Sequence, residues 1–228
     1  MAQVWDDLLF AHWPLPLDTV RPLVPTPLEI DTFDGRAWIG VVPFGMHGVR
    51  LRGTPALPWL SRFLELNVRT YVTLGGVPGV YFFSLDTANP VAVAVARRWY
   101  RLPYYRAAMR RRRGNDEVVY ESQRIHRGAP PAQLRARYRA VGGPFRAASG
   151  SFDEWPTERY CLYTVAPGGR VYRGDIQHPR WPLQRAEAEL AVNTMTEPLG
   201  IRLPAVEPVL HFARQQTVRI WSPRRVTI

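Results

Sequence analysis

Proline and glycine recur along the whole of this chain, spread out as turns between short strands and not gathered into a disordered tail. Twenty-two prolines and seventeen glycines are spread over 228 residues. Proline removes a helix donor and glycine raises the entropic cost of order, so dispersed copies favour short strands joined by turns. Apolar residues form 46% and charged residues 21% of the chain, enough for one ordinary core, and a single domain over residues 1–228 is expected. No apolar run reaches the roughly eighteen residues of a membrane helix. Asp6 and Asp7 stand where a secretory leader would be basic. Cys161 has no second cysteine to pair with, which fits a cytoplasmic protein without a membrane partner.

The clearest strand is residues 64–74, LELNVRTYVTL. Its alternation puts Glu65, Asn67, Arg69 and Tyr71 on one face and Leu64, Leu66, Val68 and Thr70 on the other. Gly75-Gly76 ends it, and residues 80–85 return as a hairpin partner. Residues 37–44, 118–125, 145–148, 160–165, 171–176 and 209–221 read as further strands or fragments. Asp18 can cap a short helix that Pro25 stops, and Asn89-Pro90 can open another. Residues 91–99 are apolar nearly all round, which predicts a buried helix ending at Leu102-Pro103. Residues 186–194 fit helix or strand. The sum is α+β, a large antiparallel sheet system with a few short helices.

The chain contains no lysine: all thirty basic positions are arginine, set against nineteen carboxylates for a net charge of +11. No side-chain Schiff base to a ketone and no lysine clamp on a phosphate can therefore form. Glu65, Asn67 and Arg69 share a strand face. That face is either solvated or the polar wall of a cavity, where a carboxyl could move protons and a guanidinium could grip a carboxylate. Trp99, Arg101, Tyr104 and Tyr105 combine flat apolar surface with hydrogen-bond donors, a set suited to a pocket, a core or an interface. The five histidines form no metal-ligand spacing, so neither metal nor cofactor is expected. The arginine run at residues 110–113 reads most simply as a solvated hairpin loop. With Arg135, Arg137, Arg139, Arg224 and Arg225 it also raises a nucleic-acid reading, although no recognised module accompanies it.

Six separated segments occur in order: HWPLPLDTVRPLVPTPLEIDTFDGRAWIGVVPF, FLELNVRTYV, GVYFFSLDTANPVAVAVAR, WYRLPYY, GSFDEWPTERYCLYT and GDIQHPRWPLQ. On these the chain resembles the YqjF-like family of uncharacterised conserved proteins, itself similar to acetoacetate decarboxylase. The resemblance covers nearly the whole chain. It implies a large antiparallel β-barrel or cone with a central cavity and a few packed helices. Glu65 in FLELNV resembles a cavity glutamate of the decarboxylase. That enzyme has a proline followed by paired lysines, one forming the Schiff base and one perturbing it. Here Pro103 is followed by Tyr104 and Tyr105. The decarboxylase's early arginine has no counterpart in FAHW, where His12 stands nearby. The α-amino group of Met1 is the remaining primary amine, and nothing in the sequence places it in a cavity.

Three functional readings follow. The first is a pocket for a small, anionic ligand, as in a lyase-like enzyme acting on a small carboxylate or keto compound without Schiff-base chemistry. Its catalytic candidates are Glu65, Arg69, Tyr104 and Tyr105, and its ligand-binding candidates are Asn67, Arg101, His12 and Trp99. The second is a non-catalytic binding or structural protein of the same fold. The third is a nucleic-acid-associated protein. An enclosed cavity holding Glu65 and Arg69 favours the first two, and a continuous exposed arginine stripe favours the third. A homo-oligomer is compatible with each.

Overall fold

A computed structural model gives the fold and describes residues 1–50 and 61–226, with Trp99 described by its backbone alone. Thirteen strands are found among the described residues. They are β1 (Ala2–Leu15), β2 (Glu29–Ile30), β3 (Ala37–Arg50), β4 (Phe63–Leu74), β5 (Val77–Thr87), β6 (Tyr104–Arg113), β7 (Glu117–Arg124), β8 (Gln133–Phe145), β9 (Cys161–Val165), β10 (Val171–Gln177), β11 (Leu183–Asn193), β12 (Val209–Ile220) and β13 (Arg224–Arg225). Two short α-helices, α1 (Leu17–Val20) and α2 (Pro90–Val95), complete a mostly-sheet architecture. The strand order is β13-β10-β9-β5-β6-β7-β8-β11-β12-β1-β3-β4-β2, with β4–β5 and β10–β12 paired in addition. Pairing is antiparallel except where β5 meets β6 and β9. The extra β4–β5 pairing leads the hydrogen-bonded order back onto itself, so the long central strands have neighbours on both sides.

Local chemistry explains the hairpin that carries the polar face. Gly75 and Gly76 at the β4–β5 turn both adopt positive φ, 57° and 74°, which a side chain would strain. Asn89 caps α2 as its sequence predicts, accepting from the backbone N–H groups of Val91 and Ala92 at 3.0 and 3.1 Å. The expected burial of this helix is not found. Val93 is its buried residue, whereas Val91 and Val95 are 46% and 38% exposed. Its apolar surface turns partly to solvent and partly to a cavity, described below. Asp18 lies in the first turn of α1 without capping it, and that helix stops at Val20, five residues before Pro25.

The sheet is larger than its alternation suggests. β1 is buried on both faces along most of its length, so it shows no period-2 signal. Residues 186–193 resolve as strand, within β11, and Thr194 follows its end. In β8, Leu134, Ala136 and Tyr138 are buried while Arg135, Arg137 and Arg139 face out. The alternation was present in the sequence but masked by its arginines. Two of those arginines are matched by acids on neighbouring strands: Arg139 meets Glu187 at 2.6 Å and Arg137 meets Glu117 at 3.6 Å.

The expected solvated loop at residues 110–113 is instead the end of β6. Arg111 and Arg113 turn toward β1 and bond Asp6 and Asp7. Asp7 is fully buried and sits in the left-handed region at φ 51°. Gly45 makes room for this cluster: a Cβ there would fall 2.1 Å from Arg111 Nη1 and 2.2 Å from Asp6 Oδ1. Two buried tyrosines tie the inside of the sheet together. Tyr120 donates to the Glu65 carbonyl at 2.7 Å and Tyr138 to the Asp7 carbonyl at 2.9 Å.

Candidate active site

A cavity of about 450 Å³ lies against the inward face of β4. Glu65, Asn67 and Arg69 all line it, and they are 4%, 4% and 8% exposed. Strand periodicity puts alternate residues on one side, and β4 contributes three polar groups in series to a largely apolar chamber. Trp5, Phe10, Phe44, Phe82, Leu162 and Trp181 supply much of the remaining lining, Phe44 and Phe82 as the cross-strand neighbours of Glu65 and Arg69. Ala92, Val95 and Ala96 line it from the helical segment.

Glu65 is hydrogen-bonded by Tyr104, whose hydroxyl donates to Oε2 at 2.6 Å. Burial pushes the Glu65 carboxyl up to about 7, against the Tyr104 hydrogen bond, which pulls it down. Burial and the neighbouring Glu65 hold the Tyr104 phenol well above its ordinary value. The pair therefore holds a carboxyl able to gain or lose a proton near neutrality beside a phenol that stays protonated. Burial also predicts a stability effect. Below about pH 4.5 Glu65 is protonated in both folded and unfolded chains, and as pH rises toward 7 the unfolded chain ionises first. Its contribution to stability should fall across that window by on the order of 3 kcal/mol. Urea denaturation of wild type and Glu65→Gln at about pH 4 and pH 8 checks this, and a pH-independent difference between them would show a solvated carboxyl.

Arg69 is aimed differently. Its Nε donates to the Tyr71 hydroxyl at 3.2 Å and its Nη2 to the Pro156 carbonyl at 3.3 Å. Its guanidinium carbon lies 5.4 Å from the Phe10 ring centre. Among the described residues it has no carboxylate partner. Tyr71 in turn bonds His12 Nε2 at 2.5 Å. Burial, with Arg69 and His211 adding to it, holds the His12 imidazole well below its ordinary value, so it is the neutral acceptor for Tyr71. His12 thus orients Arg69 through Tyr71, beside the cavity-lining Phe10 on which it stacks, without lining the cavity itself.

The remaining sequence candidates separate. Tyr105 lies on the other side of β6 from Tyr104, with its ring 4.2 Å from the guanidinium carbon of Arg124 and at the edge of His126. Arg101, at φ 55°, stacks over Tyr172 at 5.0 Å. Arg101 and Tyr105 line a second depression of about 370 Å³ and not the main cavity. The Trp99 side chain lies outside the described residues. Met1 does line the main cavity, with its amino group donating to the Ile220 carbonyl at 2.7 Å, contrary to the expectation that nothing places it there. Residue-by-residue reading also missed Arg159, which lines the cavity and pairs with Asp31 at 2.5 Å. It missed His178 as well, which stacks on Tyr160 with ring centres 4.7 Å apart. Both lie in segments quoted above, GSFDEWPTERYCLYT and GDIQHPRWPLQ, but only the fold brings them to β4.

The family described as an uncharacterized conserved protein, DUF2071, matches residues 2–217. The chain belongs to this family. It is 46% identical over 225 residues to the uncharacterized protein YqjF of Bacillus subtilis (strain 168), covering 99% of this chain and 92% of that one. Among solved structures, an acetoacetate decarboxylase aligns at a TM-score of 0.64 and 18% identity, over 100% of this chain and 88% of that chain. The enduracididine biosynthesis enzyme MppR, complexed with pyruvate, aligns at 0.68 and 10% identity, over 99% of this chain and 90% of that chain. At such identities the likeness shows a shared fold. This DUF2071 chain therefore shares the fold of the acetoacetate decarboxylase-like structures, here without a lysine. No helix among the described residues is long and apolar enough to cross a membrane.

Proposed function

We propose that this DUF2071 protein is an enzyme that moves a proton on a carboxylate- or keto-bearing small molecule, using Glu65 and Tyr104 in place of Schiff-base chemistry. The observation that carries this reading is the buried Glu65–Tyr104 hydrogen bond in the wall of a cavity that also presents Arg69. On this reading the sheet wraps the cavity as a barrel or cone, consistent with its β4–β5 pairing and with the folds it resembles.

In the chemistry proposed, the Glu65 carboxylate takes a proton from the carbon beside a carbonyl. The C–H electron pair shifts into the carbonyl to form an enolate. The same carboxyl, now protonated, returns a proton to that carbon. Arg69 holds the substrate's anionic group and Tyr104 fixes the Glu65 rotamer. The nucleic-acid alternative loses support from the carboxylates that pair Arg137 and Arg139 on β8 and Arg111 and Arg113 on β6.

The test is deuterium uptake from D₂O, followed by NMR, into a panel of keto acids from acetoacetate to 9-oxodecanoate. Uptake above the uncatalysed rate is expected in at least one member, and none in any member would overturn the reading. Borohydride added during turnover should leave no adduct on an internal side chain. A mass increase mapped to one would restore a covalent mechanism.

A further inference from the structure

The polar groups of the cavity are too far apart for a small keto acid to use them together. Glu65 and Arg69 are four residues apart on one strand, about 13 Å along β4. Their side chains do not close that gap. Glu65 reaches toward Tyr104, while Arg69 leans toward Tyr71 and Pro156, farther along the chain from Glu65. With hydrogen-bond reach allowed at both ends, about 7 Å remains to be spanned, roughly six bonds of an extended carbon chain.

Two further observations fix the chemistry along that span. Arg69 is a buried cation without a carboxylate among the described residues, so an anion entering the cavity meets an uncompensated charge. Asn67, between the two, has its Oδ1 buried without a hydrogen-bond partner, and it lines the cavity. A buried acceptor left open in this way calls for a donor on the ligand. The rest of the lining is mostly aromatic or aliphatic; of its polar members, Arg159 is already paired with Asp31 and His178 is stacked on Tyr160. The apolar lining continues to the helical segment, where Val91 is 46% exposed while also lining the cavity.

We infer that the cavity takes an elongated, amphipathic carboxylic acid. Its carboxylate sits on Arg69, a hydroxyl or N–H along its chain meets Asn67 Oδ1, and its reacting carbonyl lies about six or more bonds away beside Glu65. Its hydrocarbon packs on the aromatic wall. This inference rests on the proton-transfer reading for the position of the reacting end, but its binding chemistry can be measured without turnover.

Trp5 and Trp181 line the cavity and report occupancy by their fluorescence. The probes are straight-chain alkanoates from butyrate to dodecanoate, 4-hydroxydecanoate, and 1-decanol. Affinity should rise about fourfold per methylene until the cavity is filled. Decanoate should bind at least tenfold more tightly than 1-decanol. Arg69→Gln should remove that advantage and leave 1-decanol unchanged, while Arg69→Lys, which keeps the charge, should retain part of it. 4-Hydroxydecanoate should match or exceed decanoate. Butyrate binding as tightly as decanoate, or decanoate no better than 1-decanol, would overturn the inference. Weaker binding of 4-hydroxydecanoate would remove the Asn67 contact from it. The deuterium panel separates the two readings. Exchange confined to short keto acids sinks the elongated substrate and leaves the acid–base chemistry. Arg69-dependent decanoate binding with no exchange in any keto acid sinks the chemistry and leaves the ligand class.

Discussion

Glu65→Gln will lower deuterium exchange by about 10²- to 10⁴-fold while the protein stays folded. The amide keeps the size of the carboxyl and can still accept from the Tyr104 hydroxyl, which donates to Oε2 at 2.6 Å in the wild type. What it loses is the ability to gain and release a proton near pH 7, the value to which burial raises this group. The wild-type rate should therefore rise through pH 7 as the carboxylate forms, and that limb should vanish in the variant. Tyr104→Phe gives a graded counterpart. The Tyr104 hydrogen bond pulls the Glu65 value down, so removing it should move the limb to higher pH without abolishing the plateau. A Glu65→Gln enzyme of unchanged rate and profile would take Glu65 out of the mechanism.

The largest effect on stability is expected at the other face of the same sheet. Arg124→Met will destabilise the protein by about 3–5 kcal/mol near pH 8, because it leaves Asp86 in the core without its counterion. Asp86 is fully buried, and Arg124 Nη2 meets its Oδ1 at 2.8 Å while Nε bonds both oxygens at 3.1 and 3.0 Å. Burial pushes the Asp86 carboxyl up, and the Arg124 hydrogen bond opposes that. Without Arg124 the carboxyl should titrate higher still, so the deficit should shrink as pH falls and Asp86 becomes neutral. A chain of this size should lose on the order of 10 °C in melting temperature. The double variant Arg124→Met, Asp86→Leu should recover much of the loss, since it removes both desolvated charges. A single variant as stable as wild type would mean that water reaches Asp86.

The two experiments probe opposite sides of the strands around β5, and their effects should be separable. Arg124 carries the ring of Tyr105 at 4.2 Å, on the face of β6 that points away from the cavity. Tyr104, one residue earlier, points into it. Neighbouring tyrosines in one tetrapeptide thus serve different ends, and the pleat of β6 alone decides which.

That division marks how far the chain could be read without coordinates. The alternation of β4 was strong enough to put Glu65, Asn67 and Arg69 on one face, and the glycine pair to end the strand. The absence of lysine excluded a chemistry outright, since no fold can supply a missing functional group. The Asn89 cap was legible because its partners lie within three residues. β1 was not legible, because a strand buried on both faces has no polar side to reveal its period. The arginines of β6 misled for the opposite reason: Arg111 and Arg113 look like surface charge until Asp6 and Asp7 are brought to them from over a hundred residues away. Sequence by itself determined which groups this protein owns and which share a strand face, because both follow from residue type and a two-residue period. Only the tertiary structure decided that this face looks into a cavity, that Tyr104 and not Tyr105 joins it, and that Arg159 and His178 complete its lining. Those facts depend on non-local pairing and on exclusion of water, and neither is encoded within any short segment.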